Sequence, residues 1–114
     1  MSSRPILCAL ALAAFAFPAV AQTSAPPPAF LLRGKGHCIA CHQVPEGAGP
    51  ATRSDVGPPL TGSRMRELGR ARLRELIEDP TRANPETVMP PFGRHRILED
   101  AEISRIVEYL HALP

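Results

Sequence analysis

This sequence predicts a small all-α domain: a few short helices joined by long proline-rich loops that wrap one bound group. Three observations carry that expectation. Apolar residues recur at helical spacing in two segments, while no alternating strand pattern and no internal repeat appears. Fourteen prolines and eight glycines break up the rest of the chain. Loops of that length are uncommon in a small domain unless they pack against something. The third observation is Cys38-Ile39-Ala40-Cys41-His42, the attachment sequence of a c-type haem.

The first residues stand apart from the domain. Arg4 gives a positive start, Ile6 to Phe17 is an almost unbroken apolar run, and Ala19-Val20-Ala21 is a small-residue cleavage site before Gln22. This is the layout of a secretory signal peptide over residues 1–21 and implies a periplasmic protein. A membrane anchor would need roughly 20 apolar residues; this run is shorter, and Pro18 ends it. Residues 22–28 then read as a flexible Pro-rich leader, and the domain is expected over residues 29–114.

Each element follows from local chemistry. Ala29 to His42 reads as a helix weakened by Gly34 and Gly36, each costing roughly 1 kcal/mol relative to Ala. A close crossing by another helix would explain the two glycines. Gln43 to Leu60, rich in Pro and Gly, reads as loop. Met65, Leu68, Leu73, Leu76 and Ile77 recur at helical spacing, with Gly69 expected to split this stretch into a short turn and a helix from about Arg70 to Glu78. Asp79-Pro80 ends it, because a residue before proline avoids the helical region. Thr81 to Arg96 is again loop, stiffened by Pro85, Pro90 and Pro91. The last helix is expected from Glu99 to Leu113, with Ile103, Ile106, Val107 and Leu110 as its apolar stripe. Glu99, Asp100 and Glu102 in its first turn suit the helix dipole.

The motif cysteines lie about one helical turn apart, so both thiols can reach the two vinyl groups on one porphyrin edge. His42 follows at once and is placed as the proximal iron ligand. Of three cysteines, Cys8 lies in the signal, so Cys38 and Cys41 alone remain after processing. A thioredoxin-like pair would need a strand–helix context, and a zinc site would need a second spaced ligand pair; the sequence supplies neither. Covalent haem would also serve as the apolar body that a domain this small lacks, since it has one Tyr and no Trp.

Function turns on the sixth iron position. The candidates are Met65, Met89, His37, His95 and His111. His37 abuts Cys38 on the proximal side. Met65 fits a helix stripe and reads as core. His111 reads as solvated near the chain end. Met89, in Val88-Met89-Pro90-Pro91-Phe92, sits in an extended segment stiffened by the following proline, which suits a thioether held against iron. His/Met ligation closes both axial positions and raises the reduction potential. That combination favours electron transfer over oxygen binding or peroxide turnover. Val56-Gly57-Pro58-Pro59-Leu60 reads as a stiff loop in which a carbonyl could accept the free N–H of His42 and fix its ring; an ordinary turn is the alternative reading of the same spacing. Pro58, Leu60 and Phe92 are expected to support or pack on the haem.

The formal charge is +2, too close to neutral for a dedicated nucleic-acid binder. Arg64, Arg66, Arg70, Arg72 and Arg74 form a dense basic run, with Arg94 and Arg96 after the Met89 loop. Arg74–Glu78 and Arg72–Glu75 have the spacing of helical ion pairs. A solvated face is the expected use; a docking or anion-steering patch is the alternative.

With these residues in hand, the chain resembles class I c-type cytochromes in its helix–haem–loop–Met–helix order. Within them it is similar to the SoxX family, small monohaem subunits of the SoxAX complex of sulfur-oxidising bacteria. The likeness is carried by Gly36-His37-Cys38-Ile39-Ala40-Cys41-His42, by Val56-Gly57-Pro58-Pro59-Leu60-Thr61-Gly62, and most specifically by the stretch from Asp79 through Met89 to Leu98. The resemblance implies one haem c ligated by His42 and Met89. It implies a SoxA partner that carries the reacting cysteine, the carrier protein SoxYZ as the site of thiosulfate conjugation, and a small cytochrome as electron acceptor. The whole assembly would be an L-cysteine S-thiosulfotransferase with this chain as its electron-transfer subunit. One departure is the short segment between His42 and Gly57, which bears on contacts that loop would make with SoxA.

Overall fold

The computed structural model describes residues 25–114; the signal-peptide reading of residues 1–21 falls outside them. Helix α1 spans Pro28–Leu31, α2 spans Gly62–Glu78 and α3 spans Asp100–His111, with one-turn 3-10 segments at Cys38–Ala40 and Pro80–Arg82. No strand occurs among the described residues. The predicted all-α class I cytochrome c architecture is the one observed.

α3 matches its sequence pattern closely. All four stripe residues are buried, at 1–4 % exposure. Burying each apolar side chain of that size is worth about 1.5–3 kcal/mol. Glu99 and Glu102 form a reciprocal capping box at the start, and Asp100 and Glu102 place charge in the first turn. Met65, Leu73 and Ile77 of α2 are buried, and α2 packs mainly on α3. Met65 is therefore core, as its spacing indicated.

Gly69 breaks α2 with φ 74° and ψ 162°. No side-chain-bearing residue adopts that conformation cheaply, so the expected split occurs where the glycine stands. The half before it is a full helical segment from Gly62, longer than the short turn expected. Asp79 terminates α2 and caps the next turn, its carboxylate accepting from the Thr81 backbone N–H at 3.2 Å and from the Thr81 hydroxyl.

The segment after α1 departs from expectation. Instead of one helix over 29–42, α1 ends at Leu31, turns carry the chain through Gly36, and His37 adopts a left-handed conformation with φ 42° before the Cys38–Ala40 turn. The glycines do not admit another helix. Gly34 has open space beside it, and Gly36 packs on the chain's own Ala29 carbonyl, whose oxygen accepts its N–H at 2.9 Å. The helix also begins one residue early: Pro28, placed in the leader by its sequence, opens α1 at a position that needs no N–H.

Cross-links between distant parts fix the rest. The Tyr109 hydroxyl donates to the Ala48 carbonyl at 2.9 Å, and its ring meets Phe30 edge-on at 4.9 Å between centroids. One residue of α3 thus ties α1 and the 43–60 loop together. Arg74 pairs with Glu78 within α2 and bridges to α3 through Asp100 and Ser104. Arg72–Glu75 pairs at 2.8 Å along α2, and Arg70 pairs with Glu108 across to α3 at 2.8 Å. Much of the basic run is therefore a paired, solvated face. His111 is half-buried, with Nε2 3.4 Å from Arg70, less solvated than its position suggested.

Candidate haem and electron-transfer site

The site is assembled by short turns rather than by a long helix. The Cys38–Ala40 turn is closed by Cys41 and His42 backbone N–H groups donating to the Cys38 carbonyl at 3.2 and 2.9 Å. Both thiols are free and half-buried. Burial pushes the Cys38 thiol up to about 12, with the neighbouring Cys41 adding to the rise against a lowering backbone hydrogen bond. A thiol held neutral is a poor nucleophile, which argues against thiolate chemistry at Cys38.

The 56–60 loop zips onto the motif. Gly57 donates to the Cys41 carbonyl at 2.8 Å, and Leu60 donates to the Gln43 carbonyl at 2.8 Å. This brings the Pro58 carbonyl 2.7 Å from Nδ1 of His42. A carbonyl only accepts, so Nδ1 carries the proton and Nε2 keeps the lone pair. The imidazole lies directly over Gly57: a Cβ there would fall 2.7 Å from Nδ1, well inside contact distance. The loop is thus a cradle shaped to one imidazole and fixes its tautomer, as partners of ligating histidines do.

Met89 is set by the chain around it. Its backbone N–H donates to the Thr87 hydroxyl at 3.1 Å, and the Thr87 N–H donates to the Asn84 carbonyl. Downstream, Gly93 and Arg94 donate to the Glu78 carbonyl at 3.2 and 3.0 Å, pinning the loop to the end of α2. Met89 is half-buried and packs on the hydrophobic core alongside Cys38, Ile39 and Leu68. Leu60 and Phe92 are members of that core, at 8 % and 6 % exposure. Leu60 and Phe92 therefore belong to one apolar cluster against which Cys38 and Met89 pack, while His42 pairs with the Pro58 carbonyl. His95 is exposed, and Val56, Pro58 and Pro59 present apolar surface beside His42.

Several supporting contacts were not evident from spacing. Gly57 was visible only as a turn residue, although an obligatory glycine beside a stiff Pro-Pro pair was the available signal. Lys35 reaches Glu102 at 3.1 Å and anchors the segment before the motif to the start of α3. Nothing in the sequence announces that pair or the Tyr109–Ala48 bond.

The donor set fits haem c: two uncrosslinked thiols on one turn, an imidazole with its lone pair fixed, and a thioether in a stiff loop. No curated protein matches the chain. Residues 33–110, which contain the Cys38–His42 motif, the Met89 loop and most of α3, match the family described as cytochrome c oxidase, cbb3-type, subunit III. With covalent haem c as its cofactor and electron transfer as the chemistry of the domain, the chain belongs to this family of c-type cytochromes.

Proposed function

We propose that this chain is the single-haem electron-transfer subunit of a periplasmic complex that joins thiosulfate oxidatively to a cysteine of a carrier protein, the role of SoxX beside SoxA and SoxYZ. The reading is carried by the stretch from Asp79 to Leu98, whose sequence resembles SoxX well beyond the haem motif. The cysteine count agrees with it. Past residue 21 only Cys38 and Cys41 occur, so a sulfur-reactive thiol must belong to another chain.

When bound, haem c supplies a one-electron ferric–ferrous couple. His42 would bind the iron through Nε2, with the Pro58 carbonyl keeping the proton on Nδ1. Met89 would be the second protein ligand of the iron, and the prolines that follow it leave it little freedom to lose. Forming a sulfur–sulfur bond between thiosulfate and a cysteine thiol releases two electrons and one proton. A chain with one haem relays those electrons singly to a small acceptor cytochrome.

The second reading is a free-standing electron carrier. It is favoured by the surface: among the described residues the exposed large apolar side chains are Leu32, Val56 and Val88, a small apolar area for a permanent interface. Affinity capture of the tagged protein from periplasm, with haem staining, separates the two. A second haem polypeptide that co-purifies, and whose presence permits thiosulfate-dependent haem reduction with the carrier, is expected. A lone monomer with full electron-carrier activity would overturn the subunit reading.

A further inference from the structure

We propose that Gln43 is a positioning residue for the ligand histidine, His42: its side-chain amide holds the limb of loop that presents the Pro58 carbonyl to the imidazole. The inference rests on the haem reading of the Cys38–His42 motif and does not depend on the redox partner. The Pro58 carbonyl can fix the ring only if its own segment is fixed. On the downstream side, Leu60 donates its N–H to the Gln43 carbonyl at 2.8 Å. At the cradle itself, Gly57 donates to the Cys41 carbonyl at 2.8 Å. On the upstream side, residues 50–56 form no helix, and no backbone-to-backbone hydrogen bond reaches them. Pro50, Ala51, Arg53, Asp55 and Val56 are exposed, so packing does little to hold this limb.

Side chains tie the limb down instead. Nε2 of Gln43 donates to the Ser54 carbonyl at 2.7 Å; a carbonyl only accepts, so the amide NH2 must face it. The Thr52 hydroxyl donates to the His42 carbonyl at 3.4 Å and accepts from the Ser54 N–H at 3.4 Å, both long and correspondingly weak. Among the described residues, Gln43–Ser54 and Thr52–His42 are the hydrogen bonds that join the 50–56 limb to the rest of the chain. Gln43 therefore grips the cradle on both flanks, its carbonyl toward Leu60 and its amide toward Ser54. It also follows His42 directly in the chain, so the ring and the carbonyl that faces it are carried on one braced unit. Without the amide, the limb is free to swing and the Nδ1–H bond to Pro58 loosens. That bond makes a ligating imidazole more basic. Loosening it weakens donation to ferric iron and raises the reduction potential.

The test compares Gln43→Met, which keeps the length and loses the donor, with Gln43→Glu, which at neutral pH turns an acceptor toward the Ser54 carbonyl. NMR of the ferrous holoprotein follows solvent exchange of the His42 Nδ1 proton, and a redox titration gives the potential. Both variants should exchange that proton roughly 3- to 10-fold faster than the parent, the worth of one lost hydrogen bond. Gln43→Met, which adds no charge, should also have a higher potential than the parent. Tyr109→Phe is the control: it releases the same loop at Ala48 and leaves the Gln43 amide in place. Its exchange rate and potential should match the parent's even though its fold is weakened. Parental exchange in both Gln43 variants, or an equal acceleration in Tyr109→Phe, would overturn the positioning role.

Discussion

The imidazole of His42 is clamped between the Pro58 carbonyl, 2.7 Å from Nδ1, and the bare backbone of Gly57. One contact sets the tautomer and the other sets how far the ring can retreat. Together they aim a single nitrogen lone pair without help from any side chain.

Gly57→Ala tests that clamp. The added methyl collides with the imidazole and has only backbone and ring to displace. Overpacking of this kind costs about 1–3 kcal/mol. The variant is expected to show a mixed or high-spin ferric spectrum and a lower melting temperature than the parent. An unchanged low-spin spectrum would mean the ring is free to move.

Met89→Ala should abolish the weak methionine–ferric-haem charge-transfer band and lower the reduction potential, because a thioether ligand favours the ferrous state. Visible spectroscopy and a redox titration on the same sample check both. Retention of the band, which needs a thioether, would move the ligand role to Met65, and a Met65→Leu control on the same spectrum checks that.

Tyr109→Phe keeps the packing against Phe30 and removes the bond to Ala48. Burial holds the Tyr109 hydroxyl above its ordinary pKa, so it donates as a phenol at neutral pH. Leaving the buried carbonyl unpaired costs about 1–3 kcal/mol. A lower denaturant midpoint with an intact haem spectrum is the expected result.

Acid should loosen the junction between α3 and the segment before the haem motif. The Glu99 backbone N–H and then the Lys35 ammonium hold the Glu102 carboxyl below its usual 4.5. A depressed folded-state pKa contributes stability in full above that ordinary value and loses it as pH falls through the lower folded-state value. Unfolding midpoints should therefore decline below about pH 4.5. Glu102→Gln should be less stable near neutrality and show a shallower decline; equal slopes in both proteins would remove Glu102 from the acid transition.

What the sequence disclosed follows the range of the interactions involved. α3 was legible because its four stripe residues and its first-turn acids are local, and the break in α2 was legible because Gly69 permits a conformation its neighbours do not. The segment before the motif was not. Gly34, Gly36 and a left-handed His37 turn the chain back on its own Ala29 carbonyl, and helical spacing alone does not reveal that closure. At the site, the Cys38–His42 haem motif was readable from residue type and order. The depth of Leu60 and Phe92 in the core, and the bond between Tyr109 and Ala48 across 61 residues, depend on tertiary packing that no window of sequence contains.

Tyr109 also gives the protein its own optical gauge. It is the single tyrosine in a chain without tryptophan, so ultraviolet emission has one source, seated where α1, α3 and the 43–60 loop meet. Haem absorbs strongly in that region and quenches nearby emitters by energy transfer, and its thioether bonds keep the quencher on the molecule after denaturation. Emission that recovers during unfolding therefore reports one event, the parting of the C-terminal helix from the haem-bearing turn, and its time course can be followed without attaching a dye.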